Sequence, residues 1–210
     1  MKIYAFLLLI LLSSSFLAQD NKSQAILDDL SKSIKSMSSI YVEFSASIKN
    51  TSSGQNENEI GKGWVKGKKY FASFGENTVI SNGIKTWMVV KEEGSIYESD
   101  ASNGDDALSP KRILSIWENG FKNSYSKETT LNGQAVHEIK LNPTAPAKSD
   151  YHTIFLYISK KNELKRAILK GNDGTVMTYT LNKLTANPSI DDNKFLLERN
   201  KYPGYPVIRD

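Results

Sequence analysis

Apolar residues at helical spacing mark an amphipathic helix near the start of the chain. They recur every three or four positions, with charged residues on the remaining positions of the helical wheel. This period places the apolar side chains along one face. We predict a helix over residues 22–38 that packs this face against the rest of the molecule. Its apolar residues are Ile26, Leu27, Leu30, Ile34 and Met37.

From residue 40 onwards the pattern changes to short segments rich in β-branched and aromatic residues. Asn-Gly and similar dipeptides, as in Ser81-Asn82-Gly83, separate them at the positions where hairpin turns are expected. The pattern predicts about ten strands joined by tight turns. The predicted segments are 40–48, 61–66, 69–74, 79–80, 86–90, 96–97, 125–130, 134–141, 151–159, 164–170 and 175–184. We predict that residues 50–58 form a polar turn region.

A second, shorter helix is predicted between the two groups of strands. Ser109-Pro110 resembles a helix start, because proline is favoured at the first helical position. Ile113, Leu114 and Trp117 give this helix a short apolar face, and Asn119-Gly120 ends it.

These elements predict a mainly β (α+β) fold, a curved antiparallel sheet with two helices on its concave face. Several strands are apolar on both faces, whereas a sheet with one wet face alternates more cleanly. In residues 151–159, for example, Phe155 and Tyr157 lie on one face and Leu156 and Ile158 on the other. The second apolar face either packs on helices or lines a cavity, and the sequence leaves both open.

The first eighteen residues resemble a secretory signal. Lys2 precedes an apolar stretch that is too short to span a bilayer, and Ala18 supplies a small residue at the expected cleavage site. We therefore expect residues 1–18 to be a signal peptide cleaved near Ala18. Residues 19–210 then form one exported, soluble domain.

Composition excludes several classes of chemistry. The chain has no cysteine, so it has neither disulfides, thiol nucleophiles nor thiolate metal sites. His137 and His152 lie in strand-like segments without zinc-ligand spacing, and no Gly-x-Ser-x-Gly turn supplies a nucleophile. The net charge is +4, and the basic residues are interspersed with acidic ones. The chain therefore lacks the concentrated basic stripe that nucleic-acid binding requires. We therefore expect neither an enzyme nor a nucleic-acid-binding protein, and no cofactor or metal.

The order of motifs resembles that of the periplasmic lipoprotein carrier family, LolA. An amphipathic helix precedes a Gly-x-x-Trp-Val-Lys strand, an Asn-Gly-x-x-x-Trp hairpin, a Ser-Pro helix and a final series of strands. The resemblance spans nearly the whole chain after residue 18. The matching segments are 40–44, 61–71, 79–87, 109–114 and 190–195.

This resemblance implies an unclosed β-barrel whose concave face is covered by helices. Members of the family act as monomeric chaperones that hold the acyl chains of lipoproteins out of water in the periplasm. They receive acylated lipoproteins from an inner-membrane extraction complex and deliver them to an outer-membrane receptor, without making or breaking a bond. The resemblance implies the same localisation and partners here.

The resemblance also suggests which side chains line a lipid cavity. The two helices would supply the inner surface of the cover, Phe71 matches an aromatic residue near the cavity mouth, and two tryptophans lie in matching strands. The predicted cavity residues are Leu27, Leu30, Ile34, Trp64, Phe71, Trp87, Ile113, Leu114 and Trp117.

One motif departs from the family. Well-known carriers read Trp-Val-Lys-Arg-Pro, and that arginine hydrogen-bonds the helices to close the empty cavity, whereas this chain has Gly67 and Lys68. Glycine has no side-chain donor, and lysine lacks the forked geometry of a guanidinium. We therefore predict a more loosely held empty form. Hydrogen-exchange protection of both helices equal to that of an arginine-bearing carrier would contradict this prediction.

Three functional interpretations remain open at the level of sequence. The first is a lipoprotein carrier, and the second is a related module that binds a glycolipid or another hydrophobic molecule, or senses acylated proteins. The third is an exported β-rich interaction protein whose core is filled by its own side chains.

Overall fold

The computed structural model describes residues 21–101 and 114–209. Helix α1 occupies residues 21–35, and the predicted signal lies outside the described residues. Twelve strands follow. They are β1 (Ser39–Asn50), β2 (Gln55–Lys66), β3 (Lys69–Phe74), β4 (Asn77–Ser81), β5 (Lys85–Val90), β6 (Ser95–Asp100), β7 (Phe121–Leu131), β8 (Gln134–Pro143), β9 (Tyr151–Ser159), β10 (Leu164–Gly171), β11 (Thr175–Ala186) and β12 (Val207–Arg209).

All twelve strands form one open sheet in the order β12-β6-β5-β4-β3-β2-β1-β11-β10-β9-β8-β7. Every neighbouring pair is antiparallel except β12 with β6, which is parallel. Strand β1 lies in the middle and pairs along its length with both β2 and β11. A register shift between Glu43 and Phe44 interrupts its pairing with β11, and such bulges increase the local twist. The predicted mainly β fold with an unclosed, mostly antiparallel sheet is confirmed.

One face of the sheet forms the main apolar core with α1. Directly paired residues share a face, so Ile40 of β1, Val65 of β2 and Tyr70 of β3 lie side by side under the helix. Leu27 and Leu30 of α1 are almost fully buried in the same cluster. Towards the other end of the sheet, the core residues on β8 and β9 have no exposure to solvent. They are Ile139, Leu141, Ile154, Leu156 and Ile158.

The opposite face of β3 to β6 is covered by the C-terminal segment, residues 187–206. Ile80, Val89 and Ile96 lie on this face and are buried. Phe195, in a short 3-10 helix (Asp192–Phe195) that contacts β3, is also fully buried. The sheet therefore carries apolar packing on both faces of this half. Strand β9 (residues 151–159) lies in the other half, where Leu156 and Ile158 are buried and Phe155 and Tyr157 on the opposite face are only partly buried.

The second predicted helix differs from the structure over the part that is described. Residues 114–117 form consecutive turns rather than a regular helix, with the Glu118 amide donating to the Ser115 carbonyl. The predicted start of this helix, Ser109-Pro110, lies outside the described residues.

Helix α1 ends three residues earlier than predicted. The hydroxyl of Ser36 donates to the Ser33 carbonyl, and the Met37 amide bonds the Ile34 carbonyl in a turn. Serine side chains compete in this way for backbone groups, so they end the helix despite the continuing apolar stripe.

Strand β2 begins at Gln55, within the segment predicted as a turn. Residues 55–58 are polar, yet each pairs with β1 in an unbroken ladder. The long hairpin therefore overrides the weak strand propensity of these residues.

Candidate functional site

A cavity of about 400 Å³ lies where the end of α1 meets the sheet. Its boundaries are the end of α1 with residues 36–38, the start of β1, the end of β2 and residues 114–118. The cavity walls are mainly apolar. The apolar side chains that line it are Ile34, Met37, Ile40, Val65 and Leu114.

The local chain geometry explains why this space is not filled. Because α1 ends at residue 35, Met37 and Ser38 turn away towards β1 instead of continuing the helical cover. Gly67 borders the same space in the β2–β3 turn with a φ of 60°, a backbone conformation that favours glycine. A residue without a side chain thus forms part of the rim.

The rim also carries one ion pair. The Lys35 ammonium lies 2.8 Å from the Glu118 carboxylate, and both residues border the cavity. Ser39, at the start of β1, donates its hydroxyl to the Pro188 carbonyl at 2.7 Å. The exposed Lys35–Glu118 pair makes the rim polar while the interior is apolar, as is usual for sites that bind hydrophobic molecules.

Helix α1 is held to its surroundings by hydrogen bonds from three separate places. The Trp117 indole donates to the Ser31 hydroxyl at 2.8 Å, and the Asn162 amide donates to Asp29 at 3.2 Å. Near the helix start, the Ser23 hydroxyl donates to Asn123 of β7 at 2.5 Å. These contacts, with the Lys35–Glu118 pair, attach the helix without any side chain at position 67. Whether the empty form is looser than that of arginine-bearing carriers stays a prediction.

Five of the nine predicted cavity residues lie together on the concave side. Ile34 and Leu114 line the cavity itself. Leu27, Leu30 and Trp117 are buried in the neighbouring core, where they support the cover rather than border open space. Ile113 lies outside the described residues.

The other three predicted residues are on the opposite face of the sheet. Trp64 pairs with Phe71, whereas their neighbours Val65 and Tyr70 belong to the concave core. Strand side chains alternate between faces, so Trp64 and Phe71 point away from α1. Trp87 shares their face, and its indole donates to Glu98 at 3.0 Å. These three therefore do not join the others in one cavity.

Trp64 and Phe71 instead form part of an aromatic cluster around a lysine. The Trp64 ring centroid lies 4.8 Å from that of Tyr41 and 5.5 Å from that of Phe71. The Lys194 ammonium lies 3.8 Å from the Trp64 centroid and 4.2 Å from the Phe71 centroid. Burial lowers the pKa of Lys194, with Lys201 lowering it further. The cluster attaches the C-terminal segment to the sheet.

Sequence reasoning missed three of the lining residues, Met37, Ile40 and Val65. Met37 was part of the apolar stripe of α1, and Ile40 began the first predicted strand. For Val65 a signal did exist. Gly61 and Gly63 occupy alternate positions with Val65, so small and β-branched residues share the face opposite Trp64. Trp64, the residue predicted from this strand, lies on the other face of the sheet.

Each of the two histidines, His137 in β8 and His152 in β9, has a hydroxyl group beside its Nδ1. The His137 Nδ1 lies 3.0 Å from the Tyr125 hydroxyl, and burial lowers the pKa of His137, helped by Lys160 and Lys22. Over residues 21–101 and 114–209, His, Asp and Glu side chains nowhere gather in a group of three or more suited to a metal ion. Over the same ranges, no helix combines the length and apolar character needed to cross a membrane.

Comparison with known proteins adds information about the fold. No protein-family model and no curated protein sequence matches this chain. An uncharacterized conserved protein from Thermus thermophilus aligns with a TM-score of 0.58 and 11% identity, over 89% of this chain and 98% of that chain. LprF from Mycobacterium bovis aligns with a TM-score of 0.52 and 14% identity, over 81% and 96% respectively.

A LolA superfamily protein, NE2245 from Nitrosomonas europaea, is also similar in structure. Its TM-score is 0.44 at 8% identity, over 84% of this chain and 98% of that chain. A TM-score below 0.5 is too low to carry a conclusion, and identities this low show the fold alone. The chain therefore shares an open, mainly β fold with LprF and the Thermus protein.

Proposed function

We propose that this protein is a periplasmic carrier that binds the acyl chains of lipoproteins and moves them from the inner to the outer membrane. The observation that supports this proposal is the apolar cavity of about 400 Å³ between α1 and the sheet. Sites for small hydrophobic ligands are commonly about 300–1,000 Å³ in volume. The cavity is therefore of a suitable size for part of an acyl chain.

The free energy of moving an acyl chain out of water favours a binding site that opens easily. Each buried methylene contributes about 0.8 kcal/mol, so a sixteen-carbon chain gains on the order of 10 kcal/mol on leaving water. A carrier must approach this affinity and still release the chain to the next partner. The half-buried Ile34 and the exposed Lys35 lie at the end of α1 where such opening is least costly, while Leu27 and Leu30 anchor its middle.

The partners belong to the same proposal. The cargo is an acylated lipoprotein, received from an inner-membrane extraction complex and delivered to an outer-membrane receptor by a monomer of this protein. The motif order in segments 40–44, 61–71 and 79–87 supports this assignment through its resemblance to LolA. The shared fold supplies the architecture and does not identify the cargo.

Two measurements test the proposal in sequence. The protein is purified without detergent, and any bound lipid is extracted from it with organic solvent and identified by mass spectrometry. We expect about one hydrophobic ligand per protein molecule. A labelled lipoprotein is then incubated with inner-membrane vesicles, and we expect its release only when the protein is added.

The outcomes separate the three interpretations. Bound lipid with lipoprotein release supports the carrier. Bound lipid without release supports a module for another hydrophobic molecule, and neither lipid nor release supports an interaction protein with a filled core.

A further inference from the structure

A second, larger space lies on the face of the sheet opposite the cavity. It is a groove of about 500 Å³ across β2, β1, β11 and β10. The two sites are also separated along β1. Ile40 borders the cavity and Ser45 is the nearest β1 residue that borders the groove, and five residues of strand span about 17 Å.

The floor of the groove is a ladder of hydroxyl groups. Ser45 pairs directly with Thr180, and Ser47 pairs directly with Thr178. Directly opposite residues in an antiparallel pair share a face with Cβ atoms about 4.5–5.5 Å apart. Four hydroxyls from β1 and β11 are therefore grouped on one surface, and all four residues are half-buried.

Most of these groups retain unused hydrogen-bonding capacity. Within the described residues, the side chains of Ser45, Ser47 and Thr178 make no hydrogen bond. Arg166 of β10 donates through Nε to the Thr180 hydroxyl at 3.1 Å, which leaves its terminal nitrogens available. Hydroxyls on the wall of an open groove are able to donate to the acceptors of a bound ligand in place of water.

The charge of the groove is positive. Arg166 and Lys49 both border it, and neither forms an ion pair with the described part of the chain. Among the described residues that border it, Glu59 is the one carboxylate. It pairs with Ala46 on the other face of the sheet, and its oxygens lie where a side chain on Gly75 would stand. The two cations therefore face the hydroxyl ladder without a neutralising partner between them.

We infer that this groove binds a phosphoryl group. Guanidinium N–H groups form paired, charge-assisted hydrogen bonds with phosphate oxygens, and hydroxyls add further donors. Lys49 supplies a second positive charge at the other end of the ladder. The phosphoryl group belongs either to a lipid headgroup or to a soluble phosphate compound. This site does not depend on the proposed acyl-chain cavity, which is on the other face.

The test uses the full protein and three probes. Inorganic phosphate and glycerol 3-phosphate are titrated at constant ionic strength, with binding followed by amide chemical shifts. Phosphatidylglycerol vesicles, with phosphatidylcholine vesicles for comparison, are tested by cosedimentation. We expect millimolar or tighter binding of the soluble probes, with the largest shifts at Ser45, Ser47, Thr178 and Thr180.

Variants assign the binding to this groove. Arg166→Gln is expected to weaken phosphate binding about tenfold, because it removes a charge-assisted contact. The double variant S47A/T178V keeps every charge and is expected to weaken binding by a smaller factor. Lys91→Gln removes a positive charge from the exposed β5–β6 turn and is expected to leave binding unchanged. Circular dichroism confirms that each variant is folded.

Each outcome decides the inference. Binding of soluble probes alone assigns the groove to soluble phosphate compounds, and added selective binding of phosphatidylglycerol vesicles assigns it to a lipid headgroup. If no probe binds, or if Lys91→Gln weakens binding as much as Arg166→Gln, the inference is overturned.

Discussion

Asp192 ties the C-terminal segment to the β2–β3 hairpin through two ammonium groups. Its carboxylate oxygens lie 2.8 Å from the Lys66 Nζ and 2.9 Å from the Lys69 Nζ. Hydrogen bonds from both lysines lower the pKa of Asp192 from 3.8 to about 2. The carboxylate is exposed, so water screens these pairs and their contribution to stability is modest.

The variant Asp192→Asn tests this attachment through its pH dependence. A carboxyl whose pKa is lowered by folding stabilises the protein above its unfolded value, and the effect disappears as the pH falls through the folded value. We therefore expect the variant to have a lower free energy of unfolding than the wild type at neutral pH. The difference should shrink between pH 3.8 and about 2.

Urea unfolding at several pH values measures this difference. Asp150→Asn is the matched control, because the Asp150 side chain makes no ion pair or hydrogen bond with residues 21–101 or 114–209. A difference between Asp192→Asn and wild type that is independent of pH would contradict the assignment.

Lys194 makes a second attachment at the same place. Its ammonium contacts the rings of Trp64 and Phe71, and cation–π contacts contribute about 0.5–2 kcal/mol depending on burial. Lys194→Met keeps the aliphatic contact and removes the charge. We expect the free energy of unfolding to fall by about 1 kcal/mol, within the range for such contacts.

A double-mutant cycle identifies the source of that change. Lys194→Met and Trp64→Leu are measured singly and together by urea unfolding. A coupling energy of about 0.5 kcal/mol or more is expected for residues in contact. Strictly additive effects would show that the charge and the ring do not interact.

At the level of the element, α1 is divided into an anchored middle and a freer end. Leu30 is 1% exposed within the main core, whereas Ile34, one turn later, is half-buried beside the cavity. Leu30→Ala leaves a new void and is expected to cost about 2–5 kcal/mol. Ile34→Ala enlarges a space that already exists and is expected to cost less than about 2 kcal/mol.

Urea unfolding of both variants and the wild type measures this contrast. Loss of stability that is equal for Leu30→Ala and Ile34→Ala would mean that the end of α1 packs as tightly as its middle. The proposed opening beside Ile34 would then lose its physical basis.

Local patterns predicted most elements but not those that depend on distant partners. The spacing of Leu27, Leu30 and Ile34 placed α1 correctly, since helical periodicity reports a buried face directly. Strand β12 was missed because three residues at the chain end form a strand only by pairing with β6, over a hundred positions away. The turns at residues 114–117 likewise differ from the helix that their apolar spacing predicts.

At the scale of the whole molecule, the open sheet separates two different surfaces. One face is apolar and covered by α1, with the cavity at the end of the helix. The other face carries the C-terminal segment over β3 to β6 and the hydroxyl-lined groove over β1 and β11. The curved sheet could be predicted from the sequence, because strands and turns are recognised from the pattern of neighbouring residues. The groove could not, since Ser45, Ser47, Thr178 and Thr180 meet only through long-range register.

The central claim is that the cavity between α1 and the sheet admits an acyl chain. It is tested most directly by titrating a sixteen-carbon fatty acid into the wild type and two tryptophan variants, with heat of binding as the readout. Ile34→Trp fills the cavity, whereas Ile84→Trp adds the same ring to an exposed turn residue that does not line it. The account predicts one binding site in the wild type and in Ile84→Trp, and at least tenfold weaker binding in Ile34→Trp. Equal binding by all three proteins, or none by the wild type, would contradict it.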